Sequence, residues 1–294
     1  VGKTRLVQEL AAASDGTQLW LGKSYEAERL PYQPFVEILG RCYRQMPQRW
    51  QDAAMVQPLA AIIPELAADQ AGASTPVQTA ADVEAEKLRL FNAVAGVLGD
   101  AGAMGADASG APAAPVIVCL DDLQWADASS LELFAFLARV LAQAPVLLCA
   151  TYRSEEVDGD HPVARLQRQL ARQREVLALD LEPLDRAATS WMVAAMFGDM
   201  GAVEELGRLV YEEAEGNPFF AEEIVKALVE EGAIYRAGGK WRRRETDGWW
   251  VPAGIRSLLE HRLTRLGSSA RAVVAVASVV GRRFDFDTLR LAGR

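Results

Sequence analysis

The chain has 294 residues, 50% hydrophobic and 24% charged, enough to bury one large core or two smaller ones. A formal charge of −9 argues against non-specific binding of the whole chain to nucleic acid or to an anionic membrane surface. Three cysteines (Cys42, Cys119, Cys149) without CxxC or metal spacing, and only two histidines, exclude a disulfide framework and a histidine-rich metal site; the thiols read as buried and reduced, as in a cytoplasmic protein.

Residues 3–13, KTRLVQELAAA, follow a helical period with Leu6, Val7 and Leu10 on one face. LWLGKSY (19–25) has the length of a strand, and a helix is expected from about Pro34. Residues 82–98 read as a helix with Leu88, Phe91, Val94 and Leu98 aligned; GDAGAMGADASGAPAAP then reads as a loop. PVIVCLDD is an apolar, largely β-branched run ending in two carboxylates, which suits a strand buried on both faces. SSLELFAFLARVLAQ reads as a helix, with Ser129 and Glu132 at capping-box spacing. APVLLCATYR is a second buried strand ending in Arg153, HPVARLQRQLARQ a helix with a polar face, and EVLALDL a third strand. Strands alternating with helices imply a parallel α/β sheet.

After Pro183 the strands stop. Residues 185–197, 203–214 and 218–231 read as three helices; at EGNPFF, Gly216 terminates, Asn217 caps and Pro218 takes the first turn. AIYRAGGKWRRRETDGWWV carries GG and DG turns and reads as a β-hairpin. Its Lys240 and Arg242–Arg244, beside Trp241, Trp249 and Trp250, fit a solvated hairpin with snorkelling arginines better than a nucleic-acid contact. PAGIRSLLEHRLTRLG, with Arg256, Arg262 and Arg265 beside Ile255, Leu259 and Leu263, reads as an amphipathic helix. SSARAVVAVASVVG reads as another, too short and too closely flanked by arginines to cross a membrane. TLRLAGR resembles the middle of a third helix, and His161 and His261 receive no role.

Two stretches could carry chemistry. Asp121 and Asp122 end a buried strand, where carboxylates need a cation or donors. Either they cap the helix that begins near Ser129, or one holds magnesium and the other orients a water toward a terminal phosphate. The opening VGKT has the character of a phosphate loop: Gly2 lets backbone N–H groups approach, Lys3 contacts phosphate, and the Thr4 hydroxyl ligates magnesium. A helix comes next, and a strand ending in Asp-Asp lies further on, so the two weak signals support each other.

VGKTRLVQEL, VIVCLDDLQWADASSLELFAFLARVL, LLCATYRSEEV and GNPFFAEEIVKALVEEG occur in that order. Together they resemble the AAA-like signal-transduction ATPase module of the STAND class, found in LuxR-type transcription activators and nucleotide-cyclase fusions. The resemblance implies a P-loop NTPase core over 1–182, a helical lid over 183–232, a hairpin over 233–251 and the start of a winged-helix-like unit over 252–294. It makes Gly2, Lys3 and Thr4 the end of Walker A, and Asp121 and Asp122 the Walker B acids. Arg153 resembles the sensor of the γ-phosphate, with a surface arginine as the alternative. Pro218 resembles the lid proline near adenine, with a plain helix-start proline as the alternative. Gln124, Trp125 and Asp127 belong to the motif with only weak roles: Trp125 packs under the loop and Asp127 caps the next helix. The family loop's earlier glycines and preceding strand are not in the chain, so a fragment of a longer protein is expected. The implied ligands are ATP and Mg2+, with ATP between the core and the lid. The implied partners are effector and sensor domains of the same parent chain, with room for nucleotide-dependent self-association and none for a membrane. The implied function is a slowly hydrolysing regulatory switch; the rival is an interaction module that has lost nucleotide.

Overall fold

In the computed structural model the apolar run at 116–121 is a strand, β2 (Val116–Asp121), with all six residues buried. It runs parallel to β1 (Gln18–Lys23) on one side and to β3 (Val146–Ala150) on the other, in the order β1-β2-β3. A central parallel strand has no solvent face, which is why its sequence does not alternate. The structure describes residues 2–14, 16–27, 30–45, 50, 52–63, 65–66, 80–103, 115–172, 176–198, 204–230, 232–237, 240–243, 263, 266–280, 287–288 and 290. Three parallel strands with helices packed on both faces make the α/β sheet that the resemblance to P-loop NTPases implies.

Successive side chains of β2 enter two different cores. Val116, Val118 and Leu120 join the larger one, with Trp20 of β1 and with Phe35, Ile38 and Leu39 of α2 (Gln33–Gln45). That core also holds α3 (Ala53–Leu59) and α4 (Ala80–Ala103) through Val56, Phe91, Val94 and Leu98. Leu88, expected on the same stripe of α4, is exposed. Ile117 and Cys119 face the opposite side, against Val7 of α1 (Lys3–Ala12), with Ala11, Leu19, Leu21 and Cys149 around them. Here the expected stripe of α1 is only partly used. Val7 and Ala11, one turn apart, make the contact line, while Leu6 and Leu10 sit a step round the helix and are exposed. Gly22 lets α2 approach β1: a Cβ there would lie 2.0 Å from the Pro34 carbonyl oxygen.

A 3-10 turn (Leu123–Trp125) leads to α5 (Ala128–Val140). Its N-cap is Asp127, whose Oδ1 accepts the Ser130 N–H at 3.0 Å. The Ser129–Glu132 capping box is therefore not the device in use; Glu132 pairs with Lys87 at 2.5 Å instead. β3 is followed by α6 (Pro162–Leu170), whose N-cap His161 accepts the Val163 N–H on Nδ1 at 3.1 Å, so that histidine does have a role. The expected third strand is not found. Residues 176–181 pair with no strand among the described residues, and Leu177 and Leu179 are 78% and 66% exposed. Alternating leucines satisfy a strand period, but a strand also requires a neighbour with free backbone groups.

Contacts divide the chain into two compact units, residues 3–179 and the residues from 180 onward, with Gly2 grouped with the latter. The second contains α7 (Arg186–Phe197), α8 (Glu204–Ala214) and α9 (Pro218–Glu230), packed through Val193, Val210, Ala221, Ile224 and Val225. Asp185 caps α7, its side chain accepting the Ala188 N–H at 2.7 Å. A hairpin of β4 (Ile234–Ala237) and β5 (Lys240–Arg243) adds Ile234 and Trp241 to this core; the Trp241 indole N–H donates to the Phe197 carbonyl at 3.1 Å. α10 (Ser268–Val280) has no buried residue. Trp249, Trp250, Arg244, Arg256, Arg262, Arg265, Ile255, Leu259 and His261 lie outside the described residues, as do the DG turn and nearly all of the expected winged-helix-like unit's first helix.

Candidate functional site

The parallel register sets Lys23 opposite Asp121, and Leu120 opposite Ala150, so three strand ends finish side by side. In an open parallel sheet the carboxyl ends of strands are where ligands are held.

Asp121 is buried, so its carboxylate needs donors. Thr4 Oγ1, on the first turn of α1 and 117 positions away, lies 2.9 and 3.0 Å from its two oxygens. Thr151 Oγ1 donates to Oδ1 at 2.5 Å and accepts the Asp122 N–H at 3.2 Å. One hydroxyl thereby connects both carboxylate-bearing residues to the end of β3. Beside them the Ser24 N–H donates to the Asp121 carbonyl at 3.0 Å. The Ser24 hydroxyl is buried and finds no partner among the described residues, a polar atom left open at the strand ends.

Asp122 is left-handed, with φ 57 and ψ 46, a conformation that Asp tolerates better than most side chains. This left-handed step starts the 3-10 turn, which the Leu123 N–H anchors to the Thr151 carbonyl at 2.8 Å. The Asp122 carboxylate sits between two cations. Lys23 Nζ is 3.6 Å from Oδ2, and Arg153 Nε is 3.7 Å from Oδ1. Gln124 Nε2 also donates to Oδ1, at 3.2 Å.

Arg153 lies just beyond β3. Its NH1 pairs with Glu156 at 2.9 Å, and its guanidinium stands 5.0 Å from the centre of the Trp125 ring. Lys3 is the first residue of α1 and is half-buried. The Glu155 carboxyl is held below its ordinary range, chiefly by its own backbone N–H and further by the charges of Lys3 and Arg153. Gly2 precedes α1 with φ 90, where only glycine is unstrained; within its own unit, a Cβ there would come 3.8 Å from Pro218 Cγ. Pro218 opens α9, behind Asn217, whose Oδ1 accepts the N–H groups of Phe219 and Phe220 at 3.1 and 3.4 Å.

Of the residues singled out from sequence, Thr4, Asp121, Asp122 and Arg153 meet at one cluster, and Lys3 adjoins Thr4 on the same helix end. Asp127 caps as expected and also accepts the Tyr32 N–H at 3.2 Å. Sequence reasoning missed Lys23 and Thr151. Both are polar residues closing an apolar parallel strand, and that position was the available signal.

Oxygen donors of this kind suit a magnesium ion, which keeps several waters and takes few protein ligands. Among the described residues no group of three or more His, Cys, Asp or Glu could hold a metal by itself. Thr4 and Asp121 fit an ion that completes its shell with phosphate and water. Among the described residues no helix is long and apolar enough to cross a membrane.

A family model described as AAA ATPase domain matches residues 1–149. An uncharacterized protein of Rhizobium meliloti (strain 1021) is 29% identical over 185 residues, which are 60% of this chain and 16% of that protein. The chain thus spans a small fraction of the curated relative it matches. No solved structure matches it.

Proposed function

The chain belongs to the AAA ATPase domain family, and from that premise we propose that it is the ATP-binding, slowly hydrolysing switch module of a larger bacterial signalling or transcription-regulating protein, of the STAND class. The observation that carries this reading is the meeting of Thr4 with both oxygens of Asp121 across 117 positions. A hydroxyl at a helix start, seated on a buried strand-end carboxylate, is the donor pair a magnesium–phosphate ligand requires.

In this reading Gly2 and Lys3 hold phosphate oxygens, through backbone N–H and ammonium respectively. Thr4 and Asp121 hold Mg2+, which when bound would draw negative charge from the terminal phosphate. Asp122 orients the attacking water and accepts its proton. Arg153, now tied to Asp122 and Glu156, exchanges those carboxylates for the γ-phosphate. Pro218 lies near the adenine. The regions 1–182, 183–232, 233–251 and 252–294 serve as core, lid, hairpin and the start of a winged-helix-like unit.

The test is calorimetric titration of MgATP into the full-length protein. Lys3→Ala is expected to lower affinity by about 100-fold or more, because a desolvated phosphate loses its charge partner. Asp122→Asn, which also accommodates a left-handed backbone, should keep ATP binding and lose hydrolysis; persistence of ATP-dependent signalling in that variant would identify a switch. Unchanged affinity in Lys3→Ala would instead favour a module that interacts without nucleotide.

A further inference from the structure

The Gln124–Trp125 dipeptide has no part in the proposed switch chemistry, yet it touches both groups on which that chemistry depends. Gln124 is buried, and its amide is used at both ends. Nε2 donates to Asp122 Oδ1 at 3.2 Å, and Oε1 accepts the Arg153 N–H at 3.2 Å. One side chain therefore spans from the carboxylate to the backbone of the arginine. Trp125, the next residue, offers its ring face to the guanidinium of that same arginine at 5.0 Å, within the range of a cation–π contact. The 3-10 turn closes by the Trp125 N–H on the Asp122 carbonyl at 3.0 Å, and its start is anchored to β3 at Thr151. Both residues therefore bear directly on Asp122 and Arg153.

We infer that Gln124 and Trp125 are positioning residues: Gln124 sets the separation of Asp122 from Arg153, and Trp125 is the platform from which the Arg153 guanidinium faces the γ-phosphate. The inference deepens the proposed function and rests on Arg153 being the γ-phosphate contact. An arginine beyond a strand end has many rotamers, and a planar ring beneath it removes most of them before ligand arrives. The ring leaves the charge intact and the guanidinium edge free, which a second carboxylate in its place would not. Glu156 and Asp122 hold the arginine by charge and are exchangeable for phosphate; Trp125 holds it in either state.

The experiment is a double-mutant cycle on the ratio of ATP to ADP affinity in the full-length protein, measured by calorimetry with magnesium. Trp125→Leu is expected to cut that ratio about fivefold in the parent and to leave it unchanged in an Arg153→Ala background. Trp125→Phe keeps a ring face and should retain the ratio within about twofold. In the nucleotide-free protein the Arg153 Nε–H proton resonance should carry an upfield ring-current shift that Trp125→Leu abolishes and Trp125→Phe partly keeps. If leucine at 125 does not fold, the phenylalanine variant and the resonance decide. Gln124→Met should lower the ratio in the same non-additive way. Equal losses from Trp125→Leu with and without Arg153, or an unshifted Arg153 resonance, overturn the inference. Should Lys3→Ala leave ATP affinity untouched, the nucleotide reading itself has failed; if Lys3→Ala abolishes binding while the Trp125 and Arg153 effects simply add, only the platform falls.

Discussion

Two apolar runs of this chain, VIVCLD at 116–121 and VLALDL at 176–181, have nearly the same composition and opposite fates. The first is pinned between β1 and β3, buries every residue and delivers Asp121 to the strand ends. The second has no strand partner among the described residues and leaves Leu177 and Leu179 in solvent. Hydrophobic content made both candidates. What separates them is whether backbone donors and acceptors on each side are met, since a buried strand with unmet groups costs more than its side chains return.

The contrast can be broken most severely at the neighbour of β2. Gly22→Ala places a Cβ 2.0 Å from the Pro34 carbonyl oxygen, and neither partner is a flexible side-chain end. Displacing α2 from β1 should cost about 3 kcal/mol or more, read as a lower urea midpoint. A middle effect is expected at Thr151, whose hydroxyl serves Asp121 and the Asp122 N–H. Thr151→Val strips both partners and should cost about 1–3 kcal/mol, while Thr151→Ser stays near the parent. The smallest effect belongs to the exposed run: Leu177→Ser combined with Leu179→Ser should change the stability of this 294-residue chain by no more than about 0.5 kcal/mol. A large loss there would mean that the run is covered in solution, and the contrast between the two runs would have to be redrawn.

The buried strands also explain their thiols. Burial pushes Cys119 up to about 12, and Cys149, its register partner on β3, is raised for the same reason. Both stay protonated at neutral pH, and neither is in a disulfide. The fold holds the Cys119 proton more tightly than the unfolded chain does. That part of the stability is complete below the ordinary thiol pKa and is lost as pH rises toward 12.

Much of this molecule was legible in its residues. The central strand could be read because a run without polar positions has few alternatives. The starts of α7 and α9 could be read because Asp185 and the Asn217–Pro218 pair satisfy helix ends within a few residues. The Asp127 cap was legible for the same reason, whereas the Ser129–Glu132 spacing misled, because a capping box and an interhelical Lys–Glu pair look alike in one dimension. The stripe of α1 was overcounted, since periodicity defines a face but not how much of it a sheet will cover.

What the chain alone determined, then, is much of what depends on neighbours a few positions away: the period of most elements, several helix starts, and the placing of two carboxylates where a buried strand ends. Tertiary structure decided which distant groups meet them. Thr4 reaches Asp121 because α1 packs over β2, and Lys23 and Arg153 flank Asp122 because parallel register aligns three strand ends. Charges and hydroxyls act over a few ångströms of space, and only the folded chain says which residues share that space.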